Sequence, residues 1–129
     1  MVQIPADISS IIHIFLKKLE KENITIERAI LFGSYAQGTN TVWSDIDLAL
    51  FSPAFEGDRF KDRHKIRRIK LKISSSLEPI PFPSHQYFAA DPFVEQIKKT
   101  GISVKASTLI KTEPPLLTKT EPPAPSLFF

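Results

Sequence analysis

Leu31-Phe32-Gly33-Ser34-Tyr35-Ala36-Gln37-Gly38 and, a few residues on, Ser44-Asp45-Ile46-Asp47-Leu48 are two apolar runs, one broken by a glycine-serine pair and one by alternating aspartates. The run Ile26 to Phe32 predicts a short buried strand that breaks at Gly33, and Ile46 to Phe51 predicts a second, stopped by Ser52-Pro53. A glycine-serine pair leaving a buried strand lets the backbone approach a phosphate closely. The serine hydroxyl and the N–H groups of a following helix start can then donate to its oxygens. Asp45 and Asp47 are one residue apart in an extended segment, so both project to one side of it. Two carboxylates so placed repel at neutral pH, and protonation of one or a bound cation relieves the repulsion. Oxygen ligands of this kind suit Mg²⁺, with nucleotide phosphates completing its octahedron.

Outward from this core, Ile8, Ile11, Ile12, Phe15, Leu16 and Leu19 fall on one helical face and predict an amphipathic helix over 6–21. His13 and the lysines at 17, 18 and 21 lie between them and read as a solvated face. Residues 59–73 predict a second helix, with Phe60, Ile66, Ile69 and Ile73 set among many basic residues. A third strand is expected at Leu77 to Phe82, where prolines 79, 81 and 83 bar it from the middle of a ladder and favour an edge. Asp91-Pro92 reads as an N-cap and first helical residue of a helix that stops at Gly101, and Ile102-Ser103-Val104 as a last short strand. The fold class is therefore α/β (α+β), a small mixed sheet flanked by helices.

The chain has 129 residues, enough for one core, and 1–105 is expected to form a single domain. From 106 to 129 the character changes: five of the eleven prolines lie there and Lys-Thr-Glu-Pro-Pro occurs twice, at 111–115 and 119–123. That segment is expected to be a mobile tail. With no cysteine, disulfides and thiolate chemistry are excluded. No secretory signal or spanning apolar run is legible, so a cytoplasmic protein without membrane attachment is expected. A net charge of +3 permits an acidic ligand and does not argue for nucleic acid. Lys61, Lys65, Arg68 and Lys72 form a basic stripe that reads more simply as a solvated helix face than as a contact for a triphosphate or an acidic partner.

Gly-Ser, ten residues, then Asp-x-Asp resembles the motif of the DNA polymerase β-like nucleotidyltransferase superfamily, and more narrowly its minimal, MNT-type members. The resemblance extends over about residues 6–104, through the helix before the motif, Ser44-Asp45-Ile46-Asp47-Leu48 and the closing Asp91 to Ile102. It implies that Gly33 and Ser34 hold the triphosphate of a nucleotide and that Asp45 and Asp47 bind two Mg²⁺ ions. Glu78 would be the third carboxylate, acting with the second ion and as base toward the attacking hydroxyl. Glutamate stands there for the commoner aspartate, and Gln37 stands where many members carry arginine. The family also implies a function: transfer of AMP from ATP to a protein acceptor, a HEPN-type toxin that the MNT protein neutralises as antitoxin. Two other readings stay open, a non-catalytic MNT-fold module that neutralises a partner by contact, and a small-molecule nucleotidyltransferase whose acceptor pocket forms in a homo-oligomer.

Overall fold

A computed structural model describes residues 2–106. The expected tail falls outside these residues but for Ala106. The elements run α1 (Ala6–Lys21), β1 (Arg28–Phe32), α2 (Ser34–Gln37), β2 (Ile46–Ser52), α3 (Arg59–Ile73), β3 (Leu77–Pro83), a 3₁₀ turn (Ser84–Phe88), α4 (Pro92–Thr100) and β4 (Ile102–Lys105). The strands form one mixed sheet in the order β3-β2-β1-β4. β1 is antiparallel to both β2 and β4, and β3 is parallel to β2. The parallel pair needs a crossover, and α3 supplies it.

Alternation along the strands divides the core in two. Leu31, Ile46, Leu48 and Leu50 pack with Ile8, Ile12, Phe15 and Leu19 of α1 and Ile66 and Ile69 of α3. Ile30, Ala49, Phe51 and Phe82 pack on the other side with Val94 and Ile97 of α4. Two helices of 16 and 15 residues cover the first face, and one of 9 residues covers the second. A helix of nine residues is about 14 Å long at 1.5 Å per residue, too short to roof the whole sheet. The second face is therefore left open at one end.

The helix ends follow local chemistry. Asp58 accepts from the N–H groups of Phe60 and Lys61 at the start of α3, and Asp91 accepts from Phe93 and Val94 at the start of α4. α4 stops at Gly101, where a Cβ would strike the carbonyl oxygens of Ile97 and Leu31. The fully buried Asp62 accepts from the N–H groups of Glu56 and Gly57 and so pins the loop between β2 and α3. The prolines of β3 do sit on an edge strand, as their missing N–H groups require. Two details differ from the sequence reading. β1 begins at Arg28 rather than Ile26, because Ile24 and Ile26 are used as core side chains of the turn leading into it. The 3₁₀ turn carries no periodic apolar pattern; tertiary packing makes it, with Tyr87 edge-on to Phe51 and beneath the Arg28 guanidinium, 4.1 Å from the ring centroid.

Candidate active site

The open end of the second face lies at the C-terminal end of β1 and the N-terminal ends of β2 and β3. Phe32 is in register with Asp47, and Asp47 with Glu78, so three neighbouring strands present these positions side by side. Strand alternation puts Asp47 on the same face as Ala49 and Phe51, and Glu78 on the same face as Phe82. Asp45 precedes β2 by one residue and is exposed.

Gly33 has φ 75° and ψ −150°, a conformation almost reserved to glycine. The absence of a side chain has a second use: a Cβ on Gly33 would collide with Oδ2 of Asp47. The turn and the carboxylate are therefore packed directly on one another. Ser34 opens the single turn of α2, in which Ala36 and Gln37 donate back to the Gly33 carbonyl, and Gly38 ends it in the left-handed conformation. Tyr35 and Ala36 are buried and anchor the turn to the core.

Burial raises the pKa of Asp47, and the negative charges of Asp45 and Glu78 raise it further. The three sequence-predicted carboxylates thus share one electrostatic environment. Their chemistry suits a hard divalent cation, because the ligands are all oxygen and the mutual repulsion is relieved by positive charge. As the side chains stand, no three of them close on a single ion among the described residues. Glu78 is turned instead toward Lys70 of α3, whose Nζ lies 3.4 Å from its carboxylate and also donates to the Leu77 carbonyl at 2.8 Å. Glu78 keeps a side-chain exposure of 46%, against 18% for Lys70, so the carboxylate is the freer of the two.

Sequence reasoning missed Lys70, and for a definite reason: it lies off the basic stripe formed by residues 61, 65, 68 and 72. Two members of that stripe are occupied within the chain, Lys65 with Ala54 and Glu56, and Arg68 with Glu22. Trp43 was also passed over. It is 89% exposed two residues before Asp45, on a turn held by Thr41 and Ser44. Phe32 meets Phe93 of α4 edge-on, with centroids 6.1 Å apart, and closes the apolar side of the site.

The sequence model described as the nucleotidyltransferase domain matches residues 12–81, more than half of the chain, from within α1 to within β3. No curated protein matches in sequence. Among solved structures, a Sulfolobus solfataricus protein described as a candidate nucleotidyltransferase superposes with a TM-score of 0.58 at 16% identity. The match covers 75% of this chain and 78% of that one. At that identity the likeness speaks for the fold.

Proposed function

This chain belongs to the nucleotidyltransferase domain family, and on that premise we propose that the Gly33-Ser34 turn with Asp45, Asp47 and Glu78 forms its Mg²⁺-dependent site for transfer of a nucleotide. The observation that supports this most strongly is the contact between Gly33 and Asp47. A phosphate-binding turn and a metal-ligating carboxylate must touch the same triphosphate, and here a single added methyl group would separate them. Members of this family generally use a nucleoside triphosphate and a divalent metal, and ATP is the donor we assign.

In this reading Gly33 and Ser34 hold phosphate oxygens through backbone N–H groups and the serine hydroxyl. Asp45 and Asp47 would hold the metal pair, which supplies charge stabilisation at the attacking and leaving oxygens. Glu78, released from Lys70, takes the proton of the acceptor hydroxyl. That oxygen bonds to the α-phosphorus as the bond to the β-phosphate bridge breaks, and pyrophosphate leaves. Phe32 and Phe93 border the site with apolar ring surface.

The acceptor we assign is a protein hydroxyl, with a HEPN-type toxin as the partner that this chain adenylylates and restrains. The family resemblance of the motif supports that assignment. The test is transfer from ATP labelled on the α-phosphate, in the presence of Mg²⁺ and the HEPN-type partner. Covalent label on the partner, absent with the Asp45→Ala, Asp47→Ala double variant, is the expected result. Full neutralisation of the partner by that double variant, with no label transferred by the wild type, favours the contact-only module instead. Label on a small molecule alone, together with a homo-oligomeric mass, favours the third reading.

A further inference from the structure

α3 presents a second surface that nucleotide chemistry does not use. Phe60, Arg63, His64, Arg67 and Lys70 recur at steps of three and four residues and so lie on one side of the helix. Together with Ile66, and with Glu78 and Pro79 from the edge strand β3, they line a groove of about 460 Å³. Phe60 stands 83% exposed at one end of it. At the other end is Glu78, in register with Asp47. The groove therefore runs along α3 to Glu78, the candidate carboxylate on the edge strand next to Asp47.

Lys70 and Glu78 of the groove are paired with each other, but its two arginines are free of carboxylates among the described residues. Lys65 and Arg68 of the same helix are engaged with Glu56 and Glu22, whereas Arg63 and Arg67 have no carboxylate partner among the described residues. They are four residues apart, so their guanidinium groups are spaced about one helical turn, and each offers a planar fork suited to a carboxylate. Between them the floor is apolar, with the buried Ile66 and Pro79. An occupant must bring acid groups to the rim and an apolar side chain to the floor. It must also bind by its side chains, since prolines at 79, 81 and 83 remove three N–H donors from the seven-residue strand along the groove and leave a poor edge for strand addition.

We propose that this groove docks an acidic segment of the acceptor protein, with an apolar residue seated between Arg63 and Arg67 near Phe60 and the hydroxyl to be modified delivered at Glu78. The proposal rests on the reading of the acceptor as a protein and adds the surface that selects it. A nucleic-acid strand is disfavoured by the chemistry of the groove, which offers only the Phe60 ring and the His64 imidazole, one turn apart, where successive bases would need a longer aromatic run.

The experiment titrates the full chain with three fluorescent twelve-residue peptides that share a central Leu-Tyr and differ in having Glu, Gln or Lys at the flanking positions, and with a dT12 oligonucleotide. The expected result is salt-sensitive binding of the Glu peptide, at least tenfold tighter than the Gln or Lys peptides and tighter than dT12, with amide shifts centred on Phe60, Arg63 and Arg67. Arg63→Glu with Arg67→Glu should abolish it, and Arg63→Lys with Arg67→Lys should restore part of it. Mg-ATP binding is measured in parallel by thermal shift. Peptide binding at α3 without any response to Mg-ATP leaves the groove in place and removes the nucleotide reading. Tighter binding of dT12 than of the Glu peptide, or equal binding of all three peptides, or none, overturns the proposal, and so does Glu-peptide binding unchanged in the Arg63→Glu, Arg67→Glu variant.

Discussion

The two faces of one sheet have been put to opposite uses. On the side of α1 and α3, Phe15, Leu19, Leu48, Leu50, Ile66 and Ile69 are fully or almost fully buried, and none of the strand positions facing them carries charge. On the side of α4 the same strands carry Ala49 and Phe51 under the helix and Asp47 beyond its end. The first face holds the fold together; the second spends part of its area on carboxylates that repel one another. The lesson is that the site is a place where a helix is missing, and its cost in stability is met by the closed face.

The comparison can be broken most severely by moving the chemistry. Asp45→Ala with Asp47→Ala should lower nucleotidyl transfer by roughly 10³-fold or more, about 4 kcal/mol of transition-state stabilisation, while the melting temperature holds or rises. Phe15→Ala on the closed face should do the reverse: about 3–5 kcal/mol of stability lost in a denaturant titration, with no selective effect on nucleotide affinity in the molecules that remain folded. If the aspartate pair costs stability and the phenylalanine does not, the assignment of the two faces is wrong.

Gly33→Ala joins the faces in a single test. The alanine must adopt a backbone conformation that costs about 1–3 kcal/mol and must displace the Asp47 carboxylate. Both stability and activity should therefore fall together. A variant that loses stability alone would show that Asp47 has no fixed place beside the turn.

The smallest effects are those of pH, and they have opposite signs. The folded-state pKa of Asp47 is raised, chiefly by burial and then by Asp45 and Glu78. Its protonation is favoured by folding, so its stabilising contribution is complete below the ordinary aspartate value and is lost as pH rises through the higher folded value. The pKa of Asp91 is lowered by its hydrogen bonds with Gln86 and the start of α4, so its contribution is present above the ordinary value and is lost as pH falls below it. Asp47→Asn abolishes the unfavourable ionised form, so it should be more stable than the wild type near neutrality and lose that advantage as pH falls and the wild-type carboxyl is protonated. Asp91→Ala should lower the midpoint near neutrality and flatten the acid limb. Acid titrations followed by circular dichroism read both, and identical limbs in all three proteins would contradict the account.

Much of this arrangement was legible in the amino acids because it is local. Helix ends declared by Asp91-Pro92 and Gly101, apolar spacing in α1, and the prolines that keep β3 at an edge all act within a few residues. Gly33-Ser34 and Asp45-x-Asp47 were visible for the same reason: each is a short backbone pattern with one chemical consequence. Lys70 against Glu78, Tyr87 under Arg28 and the groove of Arg63 and Arg67 were not visible. These depend on which side of α3 and of the 3₁₀ turn meets the sheet, and charged residues spread around a helix give no period from which to read that. Glu78 stands between the two cases: the resemblance singled it out, while its register with Asp47 and its ion pair with Lys70 emerge only from the packed structure.

Calorimetric titration with Mg²⁺ and an ATP analogue whose α,β-bridging oxygen is replaced by carbon reads the nucleotide site without needing an acceptor. The wild type should show saturable, Mg²⁺-dependent binding and a stabilisation of about 2.7 kcal/mol at a ligand concentration 100 times the Kd. Both should be lost in Asp47→Asn and kept in Arg63→Glu with Arg67→Glu. No heat with the wild type at millimolar ligand, or equal binding by Asp47→Asn, would contradict the assignment of the nucleotide site.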